Sequence, residues 1–189
     1  MNLVTAPSLK RFLRWLDARL RQETGLYLGG GTAMLILVPG TRATKDVDAF
    51  IDGNNRDLLK TSAEAPETIA LNLNGAIHTF ESHLPDDWRR LAVHAGSFSG
   101  IRLKVYTLCP EDLVLMKTFR CRVKDLQDIE KLVALPAFRP GLFRRRFLEM
   151  LPVVVGQKEV HAGSFVLVWK LIQPGTRITA EKVLAAAGR

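Results

Sequence analysis

Cysteine is scarce in this chain. Cys109 and Cys121 are the only two, and they form neither a C-x-x-C pair nor, with the four scattered histidines, a zinc-ligand pattern. Reduced thiols and no structural metal are expected. Long apolar runs are missing as well: Phe165 to Trp169 is only a short uncharged patch, far below the roughly 18–20 residues that span a bilayer. The N-terminus lacks the basic flank, apolar stretch and cleavage site of a secretory leader, since Lys10, Arg11 and Arg14 interrupt its first helix-like segment. A cytoplasmic protein with no membrane contact is expected. Acids are in deficit, 19 against 27 Lys and Arg, for a formal charge of +8 and a pI near 9.9. That balance favours polyanionic partners such as RNA, DNA or nucleotides. Apolar mass is plentiful: 47% of 189 residues are hydrophobic and 24% charged, which suits one globular domain and excludes general disorder.

From Pro7 to Gly25 the residues Leu9, Phe12, Leu13, Leu16 and Leu20 recur at helical spacing, with Ser8 as cap. A short apolar run, Leu26 to Leu28, meets three glycines, after which Thr32 to Val38 reads as a helix ended by Pro39-Gly40. Asp46 to Ile51 alternates as a strand with Asp46 and Asp48 on one face. Asn54 to Ala65 reads as a helix capped by Asp52 or Asn54, and Ile101 to Leu108 as a strand. Pro110 opens a helical stretch running to Leu135 with a break near Arg122; Leu142 to Leu151 and Ala180 to Ala187 are further helices. Pro136 and Pro140 mark a boundary, giving a domain over residues 1–135 and a basic helical region over 136–189 packed on it.

The stretch LYLGGGTAMLILVPGTRATKDVDAFI, Leu26 to Ile51, carries chemistry. Adjacent glycines let backbone approach a triphosphate, and the N–H groups at the start of the Thr32 helix present positive dipole to it. Carboxylates two residues apart on a strand point the same way, so Asp46 and Asp48 are suited to hold Mg²⁺ together with nucleotide phosphates. The Arg144–Arg146 run suits RNA phosphates. Trp15, Trp88 and Trp169 read as packing residues, and no histidine is assigned a role.

G-G-T-A at Gly30 to Ala33, R-x-T at Arg42 to Thr44 and D-V-D at Asp46 to Asp48 resemble the nucleotidyltransferase fold of the DNA polymerase beta superfamily. They are more closely similar to small bacterial families that include toxins of type IV abortive-infection systems. A second block, CPEDLVLMKTFRCRVKDLQDIEKL from Cys109 to Leu132, is similar to those families' helical motif, in which a Lys precedes an R-x-x-D-x-x-D run. The resemblance covers residues 8–135. It implies an α/β (α+β) fold: a small mixed β-sheet core flanked by helices, with a helical C-terminal region. The activity it implies is Mg²⁺-dependent transfer of a nucleotidyl group from an NTP to a hydroxyl; RNA, tRNA above all, is the acceptor that the positive charge suits, with a protein hydroxyl as the alternative. Gly30, Gly31, Thr32, Arg42 and Lys117 would bind nucleotide, Asp46 and Asp48 metal, and Asp125 would act as base or orienting acid, with Asp128 the other candidate acidic partner of Lys117. A toxin–antitoxin setting with a cognate partner is also implied. Such enzymes commonly carry a third carboxylate on a later strand, whereas Ile101 to Leu108 has Arg102 and Lys104. The alternative is therefore a catalytically degenerate member that binds nucleotide, RNA or a partner protein.

Overall fold

Thr5 starts the first helix, α1 (Ala6–Asp17), by taking the Ser8 N–H on its hydroxyl at 3.3 Å while Ser8 Oγ accepts the Thr5 N–H at 2.8 Å. This reciprocal box satisfies donors that a first turn leaves unpaired. Leu9, Phe12, Leu13 and Leu16 follow at helical spacing and are buried. The sequence pattern runs on towards Gly25, yet the helix stops at Asp17. Its carboxylate accepts the N–H groups of Ile101 at 3.2 Å and of Arg102 and Leu103 at 2.7 Å each. Burial works against this charge, but the three N–H donors and the Arg102 guanidinium outweigh it and hold Asp17 below the usual carboxylate range. A carboxyl lowered in this way stabilises the fold fully above its ordinary value of 3.8 and loses that contribution as pH falls through the lowered one. Asp17→Ala is expected to cost about 1–3 kcal/mol at pH 7. The deficit against wild type should shrink below about pH 4, which urea melts of both proteins at pH 7 and pH 3 would check.

The computed structural model describes residues 3–50, 56–74 and 81–188. The chain divides into two compact units, Met1–Thr79 with Leu91–Leu108, and Phe80–Arg90 with Cys109–Arg189. The first unit holds a mixed sheet of β1 (Thr24–Leu28), β2 (Val47–Phe50), β3 (Leu73–Asn74), β4 (Val93–His94) and β5 (Leu103–Thr107). Its order is β3-β2-β1-β5-β4, with β1 parallel to β5 and antiparallel to β2. Leu26, Leu28, Val47, Ala49, Leu103 and Val105 line one face and close a core with the α1 stripe. The other face carries Tyr27, Asp48, Lys104 and Tyr106, all half-buried. Helix α2 (Gly30–Leu37) joins β1 to β2, and α3 (Arg56–Ala63) follows. Two strand expectations are trimmed. Asp46 precedes β2, and Ile101 belongs to the turn held by Asp17, where it is 83% exposed rather than inward-facing. The expected caps Asp52 and Asn54, like Ile51, lie outside the described residues.

The short α4 (Trp88–Leu91) precedes β4 in the chain. The second unit contains α5 (Pro110–Arg120), α6 (Val123–Val133), α7 (Pro140–Met150), α8 (Lys158–Ile172) and α9 (Ala180–Ala187). Cys121, with φ +44°, reverses the chain between α5 and α6, where the sequence shows the break. Phe119, Phe143, Phe147, Phe165 and Trp169 form an aromatic core in which Phe147 and Phe165 centroids lie 4.4 Å apart. Residues 135 and 136, the boundary read from the sequence, fall between α6 and α7 within this second unit. Helix α8 has no counterpart in the sequence reading. Among the described residues no helix is long and apolar enough to cross a membrane.

Candidate active site

Gly29 ends β1 and caps α2 without any side chain, so the first turn of α2 must find hydrogen-bond acceptors elsewhere. Asp48 supplies one from β2: its Oδ2 accepts the Gly31 N–H at 3.1 Å. The Asp48 carbonyl accepts the Gly29 N–H at 3.0 Å, and the Asp48 N–H donates to Thr32 Oγ1 at 3.0 Å. Thr32 Oγ1 in turn donates to the Asp46 carbonyl at 3.1 Å. The glycine turn and the paired acids, 14 to 19 residues apart in sequence, are thus one hydrogen-bonded unit. Gly30 sits at φ +49°, and a Cβ there would collide with the Asp48 carboxylate; at Gly31 a Cβ would press on the Thr44 side chain at 3.0 Å. Gly30 disfavours a side chain through both its left-handed backbone and the clash, whereas at Gly31 the Thr44 side chain would have to give by a few tenths of an ångström. The expected role of Gly31 is modified, since its N–H is spent on Asp48 and positions that carboxylate.

Asp46 is half-buried, and its Oδ1 accepts from Asn72 Nδ2 at 2.6 Å. Arg42 is exposed in the loop before β2, and Thr44 is anchored by a bridge to Val4. Among the described residues no group of three or more His, Cys, Asp or Glu gathers as a ready-made cage. Carboxylates such as those of Asp46 and Asp48 are ligands of the kind Mg²⁺ takes, one or two from the protein with the shell completed by water and phosphate oxygens. On the face of the sheet that bears Asp48, Tyr27 stacks on Tyr106 with centroids 5.0 Å apart, and His94 tilts against Tyr106 at 5.3 Å. Sequence reasoning missed these, together with Thr44 and Asn72. Only Thr44 carried a signal, as the last residue of the R-x-T match.

The α5–α6 residues meet in the second unit, but as a buried charge network. Lys117 is 4% exposed, while its neighbour Met116 is half-buried. Lys117 Nζ lies 2.7 Å from Asp128 Oδ2 and 3.7 Å from Asp125 Oδ1. Asp125 is fully buried and takes the Arg120 guanidinium at two points, Nε to Oδ2 at 2.9 Å and Nη2 to Oδ1, plus the Arg122 N–H at 3.1 Å. Burial opposes ionisation of Asp125, yet the Arg120 hydrogen bonds and charge, with Arg122 and Lys117, hold it below the usual range. A carboxylate so committed is poorly matched to proton abstraction, and a Lys enclosed by two acids presents little charge to a phosphate. Both residues serve here to hold α5 against α6.

Arg144 and Arg145 are exposed on α7. Arg146 is not: it is 1% exposed, with Nε 2.5 Å and Nη2 2.9 Å from Asp112 and Nη1 2.7 Å from Asp87. The expected phosphate contact of Arg146 is therefore corrected, because its donors are consumed inside the unit. Trp88 and Trp169 are buried, as packing residues should be.

Residues 9–168 match the model of a family described as a nucleotidyltransferase of unknown function (DUF6036). Neither a curated protein nor a solved structure matches the chain.

Proposed function

We propose, for a chain that belongs to this family of nucleotidyltransferases, transfer of a nucleotidyl group from an NTP to a hydroxyl of RNA, tRNA above all, or of protein. The observation that carries the reading is Asp48 bonded at three points to the Gly29–Thr32 turn. Gly30 lets the Asp48 carboxylate close against the turn, and the α2 N-terminus, with Arg42 in the nearby loop, attracts the charge of a triphosphate. Asp46 and Asp48 would hold Mg²⁺. When bound, that ion offsets the charge of the triphosphate and of the departing pyrophosphate. The acceptor oxygen bonds to the α-phosphorus, the bond to the bridging oxygen breaks, pyrophosphate leaves with the electron pair, and the hydroxyl proton passes to water. Tyr27 and Tyr106 offer a half-buried aromatic surface for the nucleoside. The biological role that accords with the resemblance is a cytoplasmic toxin restrained by a cognate antitoxin.

One observation favours a second reading. On the Asp48 face β5 carries Lys104 and Tyr106 and no acid, which suits a protein that binds nucleotide, RNA or a partner without turnover. Incubation with each α-labelled NTP, Mg²⁺ and total RNA separates the two. Label on RNA or protein that EDTA abolishes is the expected result. NTP binding without label would favour the second reading, and no response to any NTP would overturn both.

A further inference from the structure

We propose that a cavity in the second unit, walled by α7, α8 and α9, receives an unpaired nucleotide of single-stranded RNA. The base would lie against its apolar floor and the flanking phosphates on its cationic rim. The cavity has a volume of about 290 Å³. Phe165, Trp169 and Val183, all buried, form the floor, and exposed Arg144, Arg177 and Lys182 stand around the mouth. Among the described residues no Asp or Glu lines it. None of the three cations forms an ion pair among the described residues. Elsewhere in the same unit the buried cations Lys117 and Arg146, and the exposed Arg139, each meet an acid. Like charges gathered at one opening repel, and an anion between them relieves that repulsion.

Three features favour RNA over a single-headed apolar anion. The cations stand on separate elements, α7, the turn before α9, and α9 itself, so they suit a string of phosphates rather than one head group. The positive field extends past the cavity, since residues 136–189 carry nine Lys and Arg against three acids. The floor is apolar and aromatic, which takes a base without reading its identity. A duplex keeps its bases stacked and has none to insert. The inference rests on RNA as the partner in the proposed reaction, though not on transfer itself.

The test is binding of a fluorescein-labelled single-stranded octanucleotide RNA, and of the same sequence as a duplex, to the full chain across a salt series without NTP. The joint replacement Arg144→Gln, Arg177→Gln and Lys182→Gln, all at exposed positions, should lower the salt slope for single strands by about 2, at roughly 0.7 per lost contact. Ala186→Trp, which fills the cavity without changing charge, should weaken single-strand binding by at least five-fold and leave the slope alone. Equal affinity for single strand and duplex, or no effect of Ala186→Trp in a protein that melts like wild type, would overturn the assignment. So would displacement of Trp169 from its wild-type fluorescence by decanoate but not by RNA. With no NTP present, failure here leaves the labelling experiment standing, and loss of labelling with intact RNA binding would remove only the transferase reading.

Discussion

Arg146→Met is expected to destabilise the protein by about 3–5 kcal/mol, a cost typical of breaking a buried ion pair from one side. Asp112 is fully buried and bonded to Arg146 at two points, and Asp87 holds the third donor. Removing the guanidinium strands a carboxylate where water cannot reach it. Burial already pushes Asp112 up, against the pull of Arg146; without that pull its pKa should rise further. A carboxyl raised in the folded state binds protons that the unfolded chain has released, so the deficit should grow as pH rises from 5 to 8. Adding Asp112→Asn should recover part of the loss and flatten this dependence. Arg145→Ala, one position away and exposed, should change stability by under about 0.5 kcal/mol. Guanidinium melts at three pH values read all of these outcomes, and equal stabilities of the Arg145 and Arg146 variants would refute the role assigned to the pair.

Asp48→Asn should reduce NTP-dependent transfer by roughly 10²–10³-fold, the size of losing several kcal/mol of charge stabilisation, while leaving the fold almost as stable as before. Asparagine retains an oxygen to accept the Gly31 N–H, so the turn stays bonded. What disappears is the charge at the start of α2, worth about 0.3–1 kcal/mol. Gly30→Ala should behave differently, losing activity and stability together, because φ +49° strains an alanine and its Cβ meets the Asp48 carboxylate. Thermal melts paired with single-turnover labelling distinguish the two variants. Equal turnover by wild type and Asp48→Asn would defeat the assignment of Asp48, and the enzymatic reading with it.

The glycine turn, α2 and the acidic strand were legible because each is encoded locally: three successive glycines disfavour a continuing strand, and period-2 alternation places Asp48 opposite Val47 and Ala49 in side-chain direction. The break at Cys121 and the bounds of α9 were legible for the same reason. Helix α8 was not, since Val160, Phe165, Val168, Trp169 and Leu171 distribute apolar surface around much of its circumference and leave no single stripe. The charged residues of the second unit were harder still. Arg144, Arg145 and Arg146 read as one basic run, yet Arg146 turns inward to acids 34 and 59 residues away. Asp125 and Asp128 share the buried face of α6 with Ile129 and Leu132, a spacing visible in the sequence whose meaning depends on Lys117 and Arg120 arriving from α5. Sequence by itself determined the order of glycine turn, helix and acidic strand and the break before α6, because those follow from backbone sterics and periodicity. Only the tertiary structure decided which charges are spent on one another and which remain for a partner, because burying an ion is tolerable only beside an opposite charge that folding brings to it.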